Sequence, residues 1–79
     1  MKILKFYTET CMPCRALGKI LDKMDVEVVP INAMEDIAKV DEYNVCTTPT
    51  LIFLNDEGKE VKRTTGLISQ SKIEEILKG

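Results

Sequence analysis

The 79-residue chain is long enough for one small domain, residues 1–79, and too short for a second. Its 11 basic and 13 acidic residues are spread along the sequence, and neither a basic tract nor a basic amphipathic stripe marks nucleic acid or a membrane as a partner. No apolar run approaches the length of a membrane-spanning helix. The absence of histidine excludes imidazole-based catalysis and histidine metal ligands.

The first half of the chain alternates strand and helix patterns. Residues 3–8 (ILKFYT) are rich in strand-forming side chains and predict the first strand. Apolar residues recur at helical spacing over residues 12–24 and predict the first helix. Residues 27–31 predict a short second strand, which Pro30 places at a sheet edge because proline cannot donate a ladder hydrogen bond.

The second half predicts one more helix, a hairpin and a final helix. Asn32 and Glu35 have the spacing of a capping box, which predicts a helix that starts there and ends near Asn44. Residues 50–54 (TLIFL) are nearly all apolar and predict a strand buried on both faces. A turn joins it to a return strand over residues 60–66, and Ser69 or Ser71 caps the last helix. The order βαβαββα predicts an α/β fold with a four-stranded mixed sheet and helices on both faces.

The stretch TCMPC, residues 10–14, contains the two candidate catalytic cysteines. Residues three apart on a helix have Cβ atoms about 5–6 Å apart, and a disulfide joins Cα atoms roughly 4.4–6.8 Å apart. Cys11 and Cys14 can therefore form and break a disulfide without movement of the backbone. Pro13 suits the first turn of a helix, where its missing amide hydrogen costs nothing. Cys11 then lies at the helix N-terminus, where unpaired amides and the helix dipole stabilise a thiolate. We expect Cys11 to attack and the less exposed Cys14 to resolve the mixed disulfide.

Two other interpretations of the cysteine pair remain open. A metal-carrying module would bind a soft metal through Cys11 and Cys14, although a structural zinc needs four ligands and the chain offers only one further thiol, Cys46. Small copper-carrying domains usually have methionine two residues before the first cysteine, where this chain has Glu9. Coincidental core cysteines are the second interpretation, and the strand–CxxC–helix context disfavours it.

The expected location is the cytoplasm. The N-terminal sequence MKILKFYTET lacks the apolar segment of a signal peptide because Lys5 interrupts it. In a reducing compartment a close cysteine pair is more often catalytic, redox-sensing or metal-binding than structural.

Three motifs, in the right order, resemble the thioredoxin-like superfamily in a compact form of glutaredoxin size. TCMPC resembles the active-site turn, TTPTLIFLNDEGKEV (residues 47–61) resembles the segment in which a cis-proline precedes a buried strand, and TGLIS (residues 65–69) resembles the glycine loop before the final helix. The resemblance implies a minimal thioredoxin-like fold and thiol–disulfide oxidoreductase activity without a bound cofactor or metal. It places Cys11, Met12, Pro13 and Cys14 in the active-site turn.

The resemblance also implies how a substrate binds. It implies that Pro49 is cis, that the backbone of Thr48 pairs with an extended substrate segment, and that Gly66 belongs to the same substrate-binding region. Such pairing is a short β-augmentation, in which the main chain carries most of the recognition. The implied partners are disulfide-containing client proteins. The chain is expected to act on them as a monomer.

Departures from the family pattern bear on the electron donor and on the thiols. The C-P-Y-C motif of glutaredoxins and their aspartate before the last helix are absent, so we expect a flavin-dependent thioredoxin reductase rather than glutathione as donor. Lys5 stands where thioredoxins keep a buried aspartate. Its ammonium group either reaches solvent along an apolar stem or approaches the thiols and favours thiolates. Cys46 is predicted to be a small buried apolar residue, with a regulatory thiol as the alternative.

Overall fold

The computed structural model describes all of residues 1–79 and confirms the predicted order of elements. In chain order these are β1 (Lys2–Tyr7), α1 (Met12–Asp22), β2 (Glu27–Asn32), α2 (Ile37–Tyr43), β3 (Thr50–Leu54), β4 (Glu60–Thr65) and α3 (Gln70–Leu77). The strands form one mixed sheet in the order β2-β1-β3-β4, which puts β2 at an edge, as Pro30 predicts. β2 is parallel to β1, whereas β3 is antiparallel to both β1 and β4. No helix is long and apolar enough to cross a membrane.

Strand β3 is the centre of the molecule. All five of its residues are buried, as the apolar run TLIFL predicts. Because successive side chains of a strand point to opposite faces, β3 contributes to two separate cores. The first core lies beneath α1 and α3 and contains Ile3, Leu17, Leu21, Leu51, Phe53 and Ile73. The second lies on the α2 side and contains Leu4, Phe6, Ile31, Ile52 and Leu54, with Val40 and Tyr43 packed against it. Helices therefore cover both faces of the sheet, as predicted.

Helix α1 connects the first core to the TCMPC stretch. Its buried residues are Cys14, Leu17, Gly18 and Leu21, which recur every three to four residues along one face. Cys11 is the N-cap residue and Pro13 lies in the first turn, where the missing amide hydrogen is tolerated. The apolar face of α1 therefore fixes the position of both cysteines relative to the sheet.

The predicted start of α2 at Asn32 is wrong. The helix begins at Ile37, and the side chain of Asp36 caps it by accepting a hydrogen bond from the Lys39 amide at 3.1 Å. Asn32 is instead the last residue of β2, and its Oδ1 accepts from the Met34 amide at 2.9 Å. The side chain that fits a capping box thus closes a local turn, a use to which asparagine is equally suited.

Both later helix boundaries agree with the sequence. Asn44 adopts the left-handed conformation (φ 53°) directly after Tyr43 and ends α2. Ser69, rather than Ser71, caps α3, because its side chain accepts from the Lys72 amide at 3.2 Å.

The outer strand β4 is tied to the α2–β3 connection through Arg63. Its guanidinium donates to the Glu60 carboxylate at 2.8 and 2.9 Å and to the Asn44 carbonyl at 3.4 Å. The hydrogen bonds from Arg63 to Glu60 hold the pKa of the Glu60 carboxyl below its usual range. The Glu60–Arg63 pair is partly exposed and contributes little stability, while the Asn44 contact links β4 to the loop on which Cys46 lies.

Candidate active site

The two cysteines predicted to pair are joined in a disulfide at the start of α1. Their Cα atoms are 5.2 Å apart, inside the range that a disulfide bridges. The amide of Cys11 donates to the Thr8 carbonyl at 3.3 Å, which turns the chain from the end of β1 into the helix. The Cys11 sulfur accepts a hydrogen bond from the Cys14 amide at 3.1 Å. One of the unpaired amides of the first helical turn is therefore already directed at this sulfur.

The two sulfurs differ in exposure. Cys14 is 3% exposed, since it lies on the buried face of α1. Cys11 is partly exposed, and the neighbouring Met12 is 68% exposed. Pro13 is exposed as well. A sulfur from outside can therefore approach Cys11 far more easily than Cys14.

The Thr48–Pro49 peptide bond is cis, as the resemblance implied. Thr50 pairs with Phe6, so the start of β3 lies beside the end of β1, the strand that leads into the cysteine turn. Pro49 is buried, and its carbonyl accepts from the Gly66 amide at 2.9 Å. Gly66 has φ 79°, a conformation that glycine adopts without strain. This hydrogen bond holds the two predicted substrate-binding loops together.

The backbone of Thr48 has no hydrogen-bond partner within the chain. Neither its amide nor its carbonyl takes part in the β3 ladders, which begin at Thr50, or in any turn or loop hydrogen bond. The residue is partly exposed. Its amide and carbonyl are therefore available to pair with an extended segment from outside.

Lys5 does not simply extend into solvent. It lies on the α1 side of β1, its residue is only partly exposed, and its Nζ lies 5.5 Å from the centre of the Tyr7 ring. The same nitrogen would lie 3.2 Å from a Cβ atom on Gly18. Lys5, Gly18 and Cys14 line one cavity of about 560 Å³. Sequence reasoning missed this juxtaposition, and its one signal was a glycine inside a helix, which costs about 1 kcal/mol relative to alanine.

Cys46 is exposed, so the prediction of a buried apolar residue is wrong. Its neighbour Val45 packs against the second core instead. The thiol of Cys46 donates only a weak hydrogen bond, to the Asn44 carbonyl at 3.7 Å. No three cysteine, aspartate or glutamate side chains converge where they could hold a metal ion.

The chain is similar to known proteins over nearly its whole length. A family model described as a thioredoxin-like domain matches residues 2–79. The thioredoxin of Chlamydia caviae is 36% identical over 70 residues, which cover 82% of this chain and 68% of that protein. The thioredoxin of Mycoplasmoides gallisepticum is 32% identical over 81 residues, covering 96% and 80% respectively. Among solved structures, thioredoxin 1 of Thermosipho africanus superposes with a TM-score of 0.77 at 30% identity, covering 99% of this chain and 96% of that one. A mutant thioredoxin from Halobacterium salinarum reaches a TM-score of 0.90 at 26% identity, covering 98% and 71%.

Proposed function

This chain belongs to the thioredoxin-like family and is a thiol–disulfide oxidoreductase, and from that premise we propose that it reduces disulfides in client proteins with the Cys11–Cys14 dithiol. The observation that carries the proposal is the placement of this pair at the N-terminus of α1, where the Cys14 amide donates to the Cys11 sulfur. Hydrogen bonding and the helix dipole there both favour a thiolate. The dithiol stores the two electrons in its own sulfur atoms, so the reaction needs no cofactor in this chain.

The proposed reaction has two displacement steps. The Cys11 thiolate attacks one sulfur of the client disulfide, a mixed disulfide forms, and the other client sulfur leaves as a thiolate. Cys14 then loses its proton to solvent and attacks the Cys11 sulfur. The mixed disulfide breaks, the client leaves with two thiols after proton uptake from water, and the Cys11–Cys14 disulfide seen in the structure remains.

The client segment is proposed to bind in extended form across Thr48, with Pro49 and Gly66 shaping the loops around it. The unpartnered backbone of Thr48 supports this role, and Met12 offers exposed apolar surface beside Cys11. Because the main chain carries most of such recognition, clients of different sequence are accepted.

We further propose that residues 1–79 act as one domain, as a monomer, in the cytoplasm. One sheet carries both cores, and helices of the same chain cover both of its faces. The use of a close cysteine pair for redox chemistry is typical of a reducing compartment.

A flavin-dependent thioredoxin reductase is expected to recycle the oxidised protein, whereas glutathione is not. The chain lacks the C-P-Y-C motif of glutaredoxins, having CMPC at the active-site turn. NADPH consumption coupled to reduction of a protein disulfide would be measured with thioredoxin reductase and, separately, with glutathione and glutathione reductase. Efficient turnover with glutathione alone would contradict the assignment of the donor.

The reduction potential tests the direction of electron flow. A client reductase should have a potential near that of thioredoxin, about −270 mV, while a disulfide-forming oxidant lies nearer −120 mV. Equilibration with dithiothreitol buffers of defined ratio, followed by separation of thiol and disulfide forms, gives the value. A potential at the oxidising end would overturn the proposed role as reductant.

Cys11 is expected to be the fastest of the three thiols to alkylate in the reduced native protein near neutral pH. It combines partial exposure with the helix N-terminus, whereas Cys14 is buried and Cys46, although exposed, lies in a loop. Iodoacetamide labelling followed over time by peptide mass spectrometry ranks the three rates. Faster labelling of Cys14 or Cys46 would mean that the nucleophile is wrongly assigned. Protection of Cys11 and Cys14 by a tightly bound metal would favour the metal-carrying alternative.

A further inference from the structure

Lys5 carries a partly buried charge that the fold leaves without a counterion. Its ammonium group forms no ion pair and no hydrogen bond in the structure, and its one recorded polar contact is with the face of the Tyr7 ring, 5.5 Å away. A cation over an aromatic face is stabilised only modestly at an exposed site. The ammonium group therefore has no ion-pair partner in this oxidised form.

The position of the ammonium is set by Gly18. The Nζ atom lies 3.2 Å from the place where a Cβ atom on Gly18 would stand, closer than neighbouring atoms ordinarily approach. Cα–Cβ bonds of a helix tilt toward its N-terminus, and residues four apart share a face with Cβ atoms about 5–6 Å apart. Gly18 is four residues after Cys14 on the buried face of α1, and Lys5 and Cys14 line the same cavity.

We propose that Lys5 is a positioning residue whose ammonium group, seated over Gly18, stabilises the Cys14 thiolate and so speeds release of the client. The proposal rests on the two-step reduction proposed above, and it explains how Cys14 is favoured as a thiolate in the second step. In the disulfide the Cys14 sulfur is neutral, so it offers Lys5 no counterion. In the reduced protein Cys14 is already a thiol, and its deprotonation after the mixed disulfide forms on Cys11 gives Lys5 an anion.

The other charged groups around this cavity do not substitute for Lys5. Glu9 lies in the loop before α1, and Arg15, Lys19 and Asp22 lie along α1, all four being exposed. Arg15 donates to the Glu9 carbonyl at 3.0 Å, which holds its guanidinium at the loop before α1. Tyr7 is the one remaining titratable neighbour in the cavity. Water screens the exposed charges, so the partly buried ammonium has the strongest effect on Cys14.

The step balances without a further reactant. The Cys14 proton passes to water through the open side of the cavity. The Cys14 thiolate then forms the bond to the Cys11 sulfur, and the client sulfur leaves with the electron pair of the broken bond. A nearby cation lowers a thiol pKa but also makes the thiolate less nucleophilic. Because these two effects oppose each other, the effect of Lys5 on the rate of resolution should change sign between neutral and alkaline pH.

Lys5→Met removes the charged nitrogen and keeps an unbranched stem. The pKa of Cys14 should rise, because the nearby cation that favours its thiolate is gone. Near neutral pH the loss of thiolate should outweigh the gain in intrinsic nucleophilicity, so resolution slows by about threefold. At alkaline pH, where Cys14 is ionised in both proteins, resolution by the variant should instead be about threefold faster.

Stopped-flow reaction of the reduced protein with dithiobis(nitrobenzoate) separates the two steps. Attack by Cys11 releases one coloured thiolate, and resolution by Cys14 releases the second. The measurement uses a Cys46→Ser background, so that the exposed third thiol does not contribute. The rate of the second phase is recorded against pH for the parent, for Lys5→Met and for Lys19→Met, a control with the same charge change at an exposed position of the same cavity.

A double-mutant cycle tests whether the missing side chain of Gly18 makes room for the Lys5 ammonium group. Gly18→Ala should displace the ammonium and slow the second phase near neutral pH, but it should have no such effect when Lys5→Met is already present. A direct reading comes from a Cys11→Ser, Cys46→Ser background, in which Cys14 is the sole thiol and its thiolate absorbance can be titrated with and without Lys5. Thermal unfolding of each variant shows whether the fold is kept.

The outcomes separate the proposal from its premise. Rate profiles of the parent and Lys5→Met that cross between neutral and alkaline pH, with Lys19→Met following the parent, support the proposal. Coincident profiles, or a uniform slowing at every pH as a packing defect would give, overturn it and leave the two-step reduction intact. Absence of a second phase in the parent itself would instead overturn the assignment of Cys14 as resolving thiol.

Discussion

Replacing Phe53 by alanine is expected to lower the free energy of unfolding by about 3–5 kcal/mol. Phe53 is fully buried in β3, in the core that supports α1 and α3. Removal of its ring leaves a cavity that neighbours on a rigid central strand cannot fill. Domains typically have about 5–15 kcal/mol of stability and small ones bury less surface, so this loss is a large share of the total.

Val61→Ala is the matched control for the core substitution. Val61 lies in β4 and is 52% exposed, so its truncation should change stability by less than about 0.5 kcal/mol. Urea unfolding followed by circular dichroism measures both variants. Because α1 rests on this core and carries Cys14, Phe53→Ala should also speed alkylation of the buried Cys14 in the reduced protein. Equal midpoints for the two variants would contradict the central place given to Phe53.

Elements that bury a continuous or periodic apolar pattern could be predicted from the sequence. The run TLIFL has no polar residue that water could reach after Thr50, so it specifies a strand covered on both faces. The spacing of Cys14, Leu17 and Leu21 specifies one face of α1. In both cases burial of apolar area decides the structure, and the pattern that records burial is local in sequence.

The places where prediction failed depend on contacts between distant segments. Asn32 can cap a helix or close a turn, and the end of β2 at that residue decides for the turn. Cys46 is small and apolar, but its neighbour Val45 packs onto the second core while Cys46 itself is exposed. Neither outcome can be predicted from the residue type alone, because each side chain fits both environments.

The active site likewise combines a feature that is local in sequence with one that depends on distant segments. Pairing of Cys11 with Cys14 follows from a three-residue spacing at a helix start, a purely local geometry. The meeting of Lys5 with Gly18 joins a strand to a helix thirteen positions later in the chain, and it depends on the tilt of α1 over β1. Periodicity shows which face a residue occupies, but not which residue of another element lies opposite.

Cys14→Ser is expected to accumulate a covalent complex with client proteins, whereas Cys11→Ser forms none and Cys46→Ser behaves like the parent. Attack by Cys11 makes the mixed disulfide, and release needs a second thiolate within bonding distance, which the 5.2 Å separation of the Cα atoms provides. Turnover by Cys14→Ser should fall to a small fraction of the parent's, since only external thiols can then resolve the complex.

The substitution leaves the attacking sulfur in its setting. The hydrogen bond to the Cys11 sulfur comes from the backbone amide of residue 14, which serine retains. Residue 14 is 3% exposed, so a hydroxyl there is buried and can cost about 1–3 kcal/mol if it finds no partner. Cys14→Ala avoids this cost and should trap the same complexes. Agreement between the two variants therefore separates the loss of the resolving thiol from any loss of stability.

Non-reducing electrophoresis of each tagged variant after incubation with a lysate shows the trapped complexes, and mass spectrometry identifies the clients. Dithiothreitol should abolish every trapped band, because each is held by one mixed disulfide. Cys46 is exposed on the α2–β3 connection and lies on no shared helical turn with Cys11, so it is poorly placed to resolve. If Cys14→Ser and Cys14→Ala turn over disulfides as fast as the parent, the double variant with Cys46→Ser decides the cause. Loss of turnover only in that double variant would make Cys46 the resolving thiol, and continued turnover would make the mechanism monothiol.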